Sequence, residues 1–150
     1  TDQNHEHSII NSILEKSLIN FKESLEILTQ LSKFKKNQSD EYRICIETAN
    51  RIYKLTKGHE NTTIKTNLFE HSIELKCYQS LEKSFKIVNQ KNITFEKCIK
   101  ELVETSNLMH GYFENVLIMC DNEDIKSNRL SFLKKTYELF NLIANFEKLK

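Results

Sequence analysis

The sequence predicts an all-α fold, a single-domain bundle of about five main helices, on three observations. Proline is absent and glycine occurs only 2 times in 150 residues, so few positions interrupt a helix. Lys, Glu, Leu, Ile, Asn and Ser dominate the composition, a mixture that suits helices with solvated outer faces. Apolar residues recur at steps of three and four along most of the chain, the period of an amphipathic helix. A chain of 150 residues suits one domain with a usable core. The expected organisation is therefore one domain over 1–150, with 1–7 a disordered end.

The elements follow from the pattern. Ile10, Leu14, Leu18, Phe21, Leu25, Leu28 and Leu31 mark a first helix over Ser8–Phe34. Lys35 to Ser39 is a polar break, and Ser39 can cap a second helix whose first turn holds Asp40 and Glu41, the sign that the helix dipole favours there. That helix runs to Lys57 and buries Cys45, Ala49 and Ile52. Gly58 follows where a left-handed residue is expected. His59–Thr66 reads as a polar, mobile loop. The third helix is expected over Asn67–Asn89, carried by Phe69, Ile73, Cys77, Leu81 and either Phe85 or Val88. Thr94 can cap a fourth helix with Cys98 and Leu102 inside, bent or closely approached at Gly111. The fifth is expected from Asp121, with Asp124 completing a variant capping box. Its stripe is Leu130, Leu133, Tyr137, Phe140, Ala144 and Glu147.

Composition excludes several function classes. The net charge of +1 announces no nucleic-acid binder, so a basic footprint must come from local arrangement. Cys45, Cys77, Cys98 and Cys120 are far apart and form no C-x-x-C, which leaves no legible metal site. Reduced thiols in a cytoplasmic protein are the expectation. No apolar run reaches the roughly 20 residues of a membrane span. His5, His7, His59, His71 and His110 are scattered, with no H-E-x-x-H and no glycine-rich phosphate loop. No set of residues fills the roles of a catalytic site, so the chain by itself is expected to be non-catalytic and without a cofactor.

The candidate binding residues are cations. Only three positions, Arg43, Arg51 and Arg129, use arginine, against nineteen lysines. A planar fork can pair with a phosphate through two bonds or stack on a base, which a lysine cannot. Arg43, Asn50, Arg51, Lys54 and Lys57 share one broad face of the second helix, interrupted by Glu47. Tyr42 and Tyr53 flank it. Such a face can hold phosphates and stack unpaired bases. A solvated face with internal ion pairs is the alternative. Lys126 and Arg129 lie one turn apart at the start of the fifth helix, against the dipole. They must answer either to Asp121, Glu123 and Asp124 or to an external phosphate. Asn128 either meets a base edge or holds the preceding loop, the commoner role of a buried amide. Tyr112, Phe113, Val116 and Met119, at near-helical spacing, read as core.

Several segments resemble a known family. Leu108 onward matches best: Tyr112-Phe113-Glu114-Asn115-Val116, then Met119, then Asn128-Arg129-Leu130 and Leu133. Ala49-Asn50-Arg51-Ile52-Tyr53-Lys54-Leu55 looks like the family's basic second-helix segment, with Lys54 where an Asn is usual. Asn67-Leu68-Phe69-Glu70 and Glu74-Leu75-Lys76-Cys77-Tyr78 resemble the next helix, without its usual proline at His71 or Ser72. Lys126 stands where Arg is common, and Ala144 to Leu149 looks like the family's ending. These segments resemble the C-terminal DALR-type anticodon-binding domain of bacterial glycyl-tRNA synthetase β subunits. A related domain ends arginyl-tRNA synthetase, and the tail after Phe140 fits the glycyl β subunit better.

The resemblance implies a piece of a longer β subunit that binds the anticodon stem-loop of glycine tRNA in the cytoplasm. It implies the α subunit and the rest of the β subunit as partners in an α2β2 enzyme, with ATP and glycine handled by the α subunit. The expected tRNA-binding residues are Arg43, Arg51, Tyr53, Lys54 and Lys57, then Lys126, Asn128 and Arg129. A helical protein-interaction module that touches no RNA, or an arginyl-type domain, are the competing expectations.

Overall fold

The computed structural model describes residues 25–143. The expected start of the first helix, the end 1–7, and Ala144, Glu147 and the closing segment to Leu149 lie outside the described residues. Among the described residues every regular element is helical, as the composition predicts. The chain divides into two compact units, 1–39 and 40–150.

In the first unit, residues 25–37 form helix α1. Thr29 Oγ1 donates to Leu25 O at 2.9 Å, the back-bonding to i−4 typical of a helical threonine. The second unit holds α2, Ser39–Leu55, from its second residue on, then α3 Ser72–Val88, α4 Phe95–Asn115 and α5 Glu123–Asn141, with a 3-10 turn at Thr66–Leu68.

Helices α3 and α4 form an antiparallel hairpin. At one end Ile73 Cδ1 stands 3.4 Å from where a Cβ on Gly111 would lie. In the middle Cys77 Sγ reaches Leu108 O at 3.9 Å. At the other end the buried Ser84 Oγ donates to Glu101 Oε2 at 2.7 Å. The approach at Gly111 is thus by a side chain of α3, not by another backbone. In the connection, Asn92 takes φ 60°, which Asn tolerates better than most residues. Thr94 caps α4 as expected, its Oγ1 accepting from Lys97 N at 3.2 Å.

Helix α2 runs alongside α4, with Cys45 Sγ 3.5 Å from Ser106 Oγ and Arg51 over Phe113. It meets α5 where Tyr53 lies against Tyr137. Gly58, at φ +82°, turns the chain just past its end.

Helix α5 is the central element. Leu133, Leu139 and Phe140 are wholly buried, and so are the polar Ser131 and Thr136 nearly or fully. Its cap is Asn122, whose Oδ1 accepts from the amides of Asp124 and Ile125 at 3.0 and 3.1 Å. The helix therefore starts two residues later than the expected Asp121, and Asp124 supplies an amide to the cap rather than a capping carboxylate. Helix α3 also starts later than expected. The segment from Asn67 divides into the 3-10 turn and an extended stretch through Phe69, because Glu74 caps the helix from inside. Its Oε2 accepts from the amides of Glu70 and His71 at 2.7 and 3.0 Å.

The apolar run after Tyr112 is not all helix. Beyond Asn115 it is extended, and side chains alternate. Val116 and Ile118 turn inward, whereas Leu117 is 69% and Met119 58% exposed. Met119, expected in the core, is therefore a surface residue. The four cysteines are free thiols. Burial pushes Cys45 and Cys77 up to about 11 and raises Cys98 as well, which keeps these three in the unreactive thiol form at neutral pH.

Candidate nucleic-acid interface

The cations singled out in the sequence fall into two environments. On α2, residues two turns apart share a face. Cys45, Ala49 and Ile52 are at 0% exposure on the inner side, and Arg43, Glu47, Arg51 and Lys54 are exposed on the outer, as is Lys57 in the turn that follows, since the helix ends at Leu55 rather than at the expected Lys57. Arg43 lies 3.8 Å from Asp40 and 3.9 Å from Glu47. These are long, solvated pairs of little energetic weight, and they leave the guanidinium within reach of a stronger anion.

Arg51 is placed differently. Its Cζ sits 4.0 Å from the centroid of the Phe113 ring, a cation–π contact that fixes one guanidinium face. Among the described residues it pairs with no carboxylate. A planar donor fork held by a ring, with its edges in solvent, is preorganised for a phosphate or for stacking beneath a base. On the opposite flank Tyr53 is 39% exposed, and its ring lies 5.8 Å from that of Tyr137. Lys54 and Lys57 project between the two flanks, and neither has a carboxylate partner among the described residues. The structure thus brings together Arg43, Arg51, Tyr53, Lys54 and Lys57 on one surface.

The three candidates on α5 do not join that surface as contacts. Arg129 is 3% exposed. Its Nε donates to Glu74 Oε1 at 3.1 Å, its Nη2 to Glu70 Oε1 at 2.9 Å and its Nη1 to Leu117 O at 2.7 Å. Every arm of the guanidinium is engaged inside the protein, so the expected contact with an external phosphate is corrected. Arg129 clamps the start of α3 and the strand-like segment after α4 onto α5. Burial pushes Glu74 up, but the amides of His71 and Glu70 and the Arg129 guanidinium outweigh it and hold the carboxyl below its ordinary range. Burial pulls Arg129 down, and the bond and charge of Glu74 more than reverse it.

Asn128 is 4% exposed. Its Oδ1 accepts from Lys65 N at 2.7 Å and its Nδ2 donates to Lys65 O at 2.9 Å. That two-way bond, on a side chain buried at this depth, commits Asn128 to the loop. The loop it holds is the one before α3 rather than the one before α5. His59 Nε2 shares a 2.9 Å hydrogen bond with Ser131 Oγ, so the segment expected to be mobile is tied at both ends. Lys126 is the third. Its Nζ stands 4.0 Å from Glu123 Oε1, and the side chain is about a quarter exposed.

Phe113, as the support of Arg51, was absent from the expected set. Phe113 and Arg51 are far apart in the chain, and no local spacing links them. Among the described residues no group of three or more His, Cys, Asp or Glu could hold a metal, and no helix is long and apolar enough to cross a membrane.

The chain is similar to glycine–tRNA ligase beta subunits. With that of Thermotoga maritima it shares 33% identity over 99 residues, 63% of this chain and 14% of the relative. With that of Geotalea daltonii it shares 23% over 143 residues, 94% of this chain and 20% of the relative. With that of Streptococcus mutans it shares 25% over 127 residues, 84% of this chain and 18% of the relative. The chain therefore spans at most about a fifth of the length of these relatives. No protein-family model matches it.

Proposed function

We propose that this chain is the RNA-gripping helical module of a glycine–tRNA ligase beta subunit, and that it docks the anticodon stem-loop of glycine tRNA. The observation that carries the reading is Arg51. Its guanidinium rests on Phe113, exposed and without a carboxylate partner among the described residues, beside Lys54 and Lys57. Similarity to the beta subunits supports glycine tRNA as that RNA.

Arg51 and Lys54 hold phosphates at the centre of the α2 surface, with Arg43 and Lys57 at its ends. Splayed bases of the loop stack or bond beside them. By analogy with the family, the bases read include the C-C doublet of the anticodon. Lys126 adds a peripheral phosphate contact. Arg129 and Asn128 act as positioning residues, since they hold the α3 start and the 59–66 loop on α5. The chemistry with ATP and glycine belongs to the α subunit of an α2β2 enzyme, acting in the cytoplasm. The chain contributes no catalytic group or cofactor of its own.

The test is a titration of the chain against glycine tRNA and against the same tRNA with its C-C doublet changed, at several salt concentrations. Tighter, salt-sensitive binding of the native anticodon is expected. Equal binding to both would reduce the role to backbone attraction. A second reading, a module that binds protein alone, draws on exposed Leu117, Met119 and Leu75. Absence of binding to either tRNA would favour it.

A further inference from the structure

Among the described residues, three cations rest on aromatic rings with no carboxylate alongside. One is Arg51 on Phe113. The other two surround a single ring pair. Lys57 Nζ lies 5.7 Å from the Tyr53 centroid, and Lys134 Nζ lies 5.6 Å from the Tyr137 centroid. The two rings are 5.8 Å apart with planes inclined at 37°. Lys135 differs, for although its Nζ is 4.8 Å from the Phe85 centroid it also pairs with Glu138 at 3.4 Å.

The two tyrosines have unequal exposure. Tyr137 is 6% exposed and belongs to the packed body of α5, whereas Tyr53 is 39% exposed. A buried ring thus supports an exposed one from beneath, with Lys57, in the turn after α2, and Lys134, on α5, at the pair. An exposed ring held in position, with cations beside it, is the element from which sequence-tolerant single-strand sites are built. The ring offers a stacking face, and the lysines meet the phosphates that flank any stacked base. A closed duplex has no free base to offer such a ring. Lysine stems also shelter aromatic surface from water without any ligand, and that is the outcome to be separated experimentally.

We infer that Tyr53, supported by Tyr137 and flanked by Lys57 and Lys134, is a stacking seat for one unpaired base of the bound RNA. Lys134 holds a phosphate beside that base. The inference rests on the RNA-binding reading above. It extends the surface from α2 onto α5, and it restricts the ligand at this point to an unpaired loop nucleotide.

The chain has no tryptophan and 5 tyrosines, so tyrosine emission reports stacking directly. The full chain is titrated with an RNA stem-loop carrying the glycine anticodon, and with a blunt duplex of the same stem. Binding is followed by anisotropy of labelled RNA and by tyrosine emission. The stem-loop quenches emission and the duplex does not. Tyr53→Leu weakens stem-loop binding by roughly tenfold and removes most of the quenching, leaving duplex affinity unchanged. Tyr53→Phe retains the affinity, because the ring rather than the hydroxyl is the seat. Lys134→Gln lowers the salt slope by about one ion. Circular dichroism checks the fold of each variant.

Stem-loop affinity untouched by Tyr53→Leu and Lys134→Gln, but lost in Arg51→Gln/Lys54→Gln, would overturn the stacking seat while leaving the RNA-binding reading intact. Equal loss of duplex and stem-loop affinity in Tyr53→Leu would also overturn it. A chain that binds neither RNA would remove both readings.

Discussion

Arg51 and Arg129 are the same residue type in opposite circumstances. Arg129 is enclosed and donates from all of its arms to Glu74, Glu70 and Leu117. Arg51 lies on the surface against one ring and has no carboxylate. The difference separates building from binding. A guanidinium that is buried and bonded internally from each of its three nitrogens holds elements together. One that is immobilised by stacking but unsatisfied at its edges stabilises little and is ready for an anion. The planar fork serves both roles, and the surrounding carboxylates decide which.

The contrast can be broken most severely at the clamp. Arg129→Met leaves the Glu74 carboxylate buried without its cation, and unfolding free energy should fall by about 3–5 kcal/mol, read by urea denaturation. Arg129→Lys should recover only a part, because one ammonium cannot reach Glu74, Glu70 and the Leu117 carbonyl together. Retention of full stability in Arg129→Met would show that the clamp is not structural.

Acid tests the same region from its partner. Glu74 is held below its ordinary 4.5 in the folded chain, and the unfolded chain returns it there. Its contribution is therefore complete above that value and is lost as pH falls through the lower, folded one. Stability should decline on acidification below about pH 4.5. The decline should be shallower in Glu74→Gln, from a lower starting stability. Equal slopes in the two proteins would place the acid sensitivity elsewhere.

Asn128→Ala removes both bonds to Lys65 and leaves its part-buried amide N–H without that acceptor, while the Lys65 carbonyl keeps its bond from Leu68 N. A loss of about 1–3 kcal/mol is expected. Hydrogen exchange should show faster opening of 59–66 than of α3 or α4. Uniform acceleration across the chain would mean that the loop is not a separate unit.

The mildest change to the fold is expected at the other arginine. Arg51→Gln, combined with Lys54→Gln, should alter stability by no more than about 1 kcal/mol, the worth of one exposed cation–π contact. RNA affinity and its salt slope should fall with it. A large stability loss without a change in RNA binding would make Arg51 a second structural arginine and reverse the comparison.

Much of the helical layout was readable in the chain because it depends on neighbours three and four residues apart. The inner stripe of α2, Thr94 as a cap and Gly58 as a left-handed stop follow from local rules. So does the shared face of Arg43, Lys54 and Lys57. The start of α3 was misread because Glu74 caps it from within and Arg129, on another helix, holds that carboxylate in place. The cap of α5 falls one residue beyond Asp121 because Asn122 takes that position, where an amide oxygen suits as well as a carboxylate. Lys57 one turn after Tyr53, and Lys134 three residues before Tyr137, are spacings visible in the sequence. That the two pairs meet is not.

By itself the sequence determined the helical class, the approximate elements, the amphipathic face of α2 and the similarity of the chain to glycine–tRNA ligase beta subunits, because these reside in local periodicity and in residue identity. The tertiary structure decided which cations are available. Arg51 and Arg129 read alike along the chain. Only folding puts Phe113 beneath one, and Glu70, Glu74 and the Leu117 carbonyl around the other. Availability for a ligand depends on the bonds left unmade after long-range packing, and no local pattern carries that information.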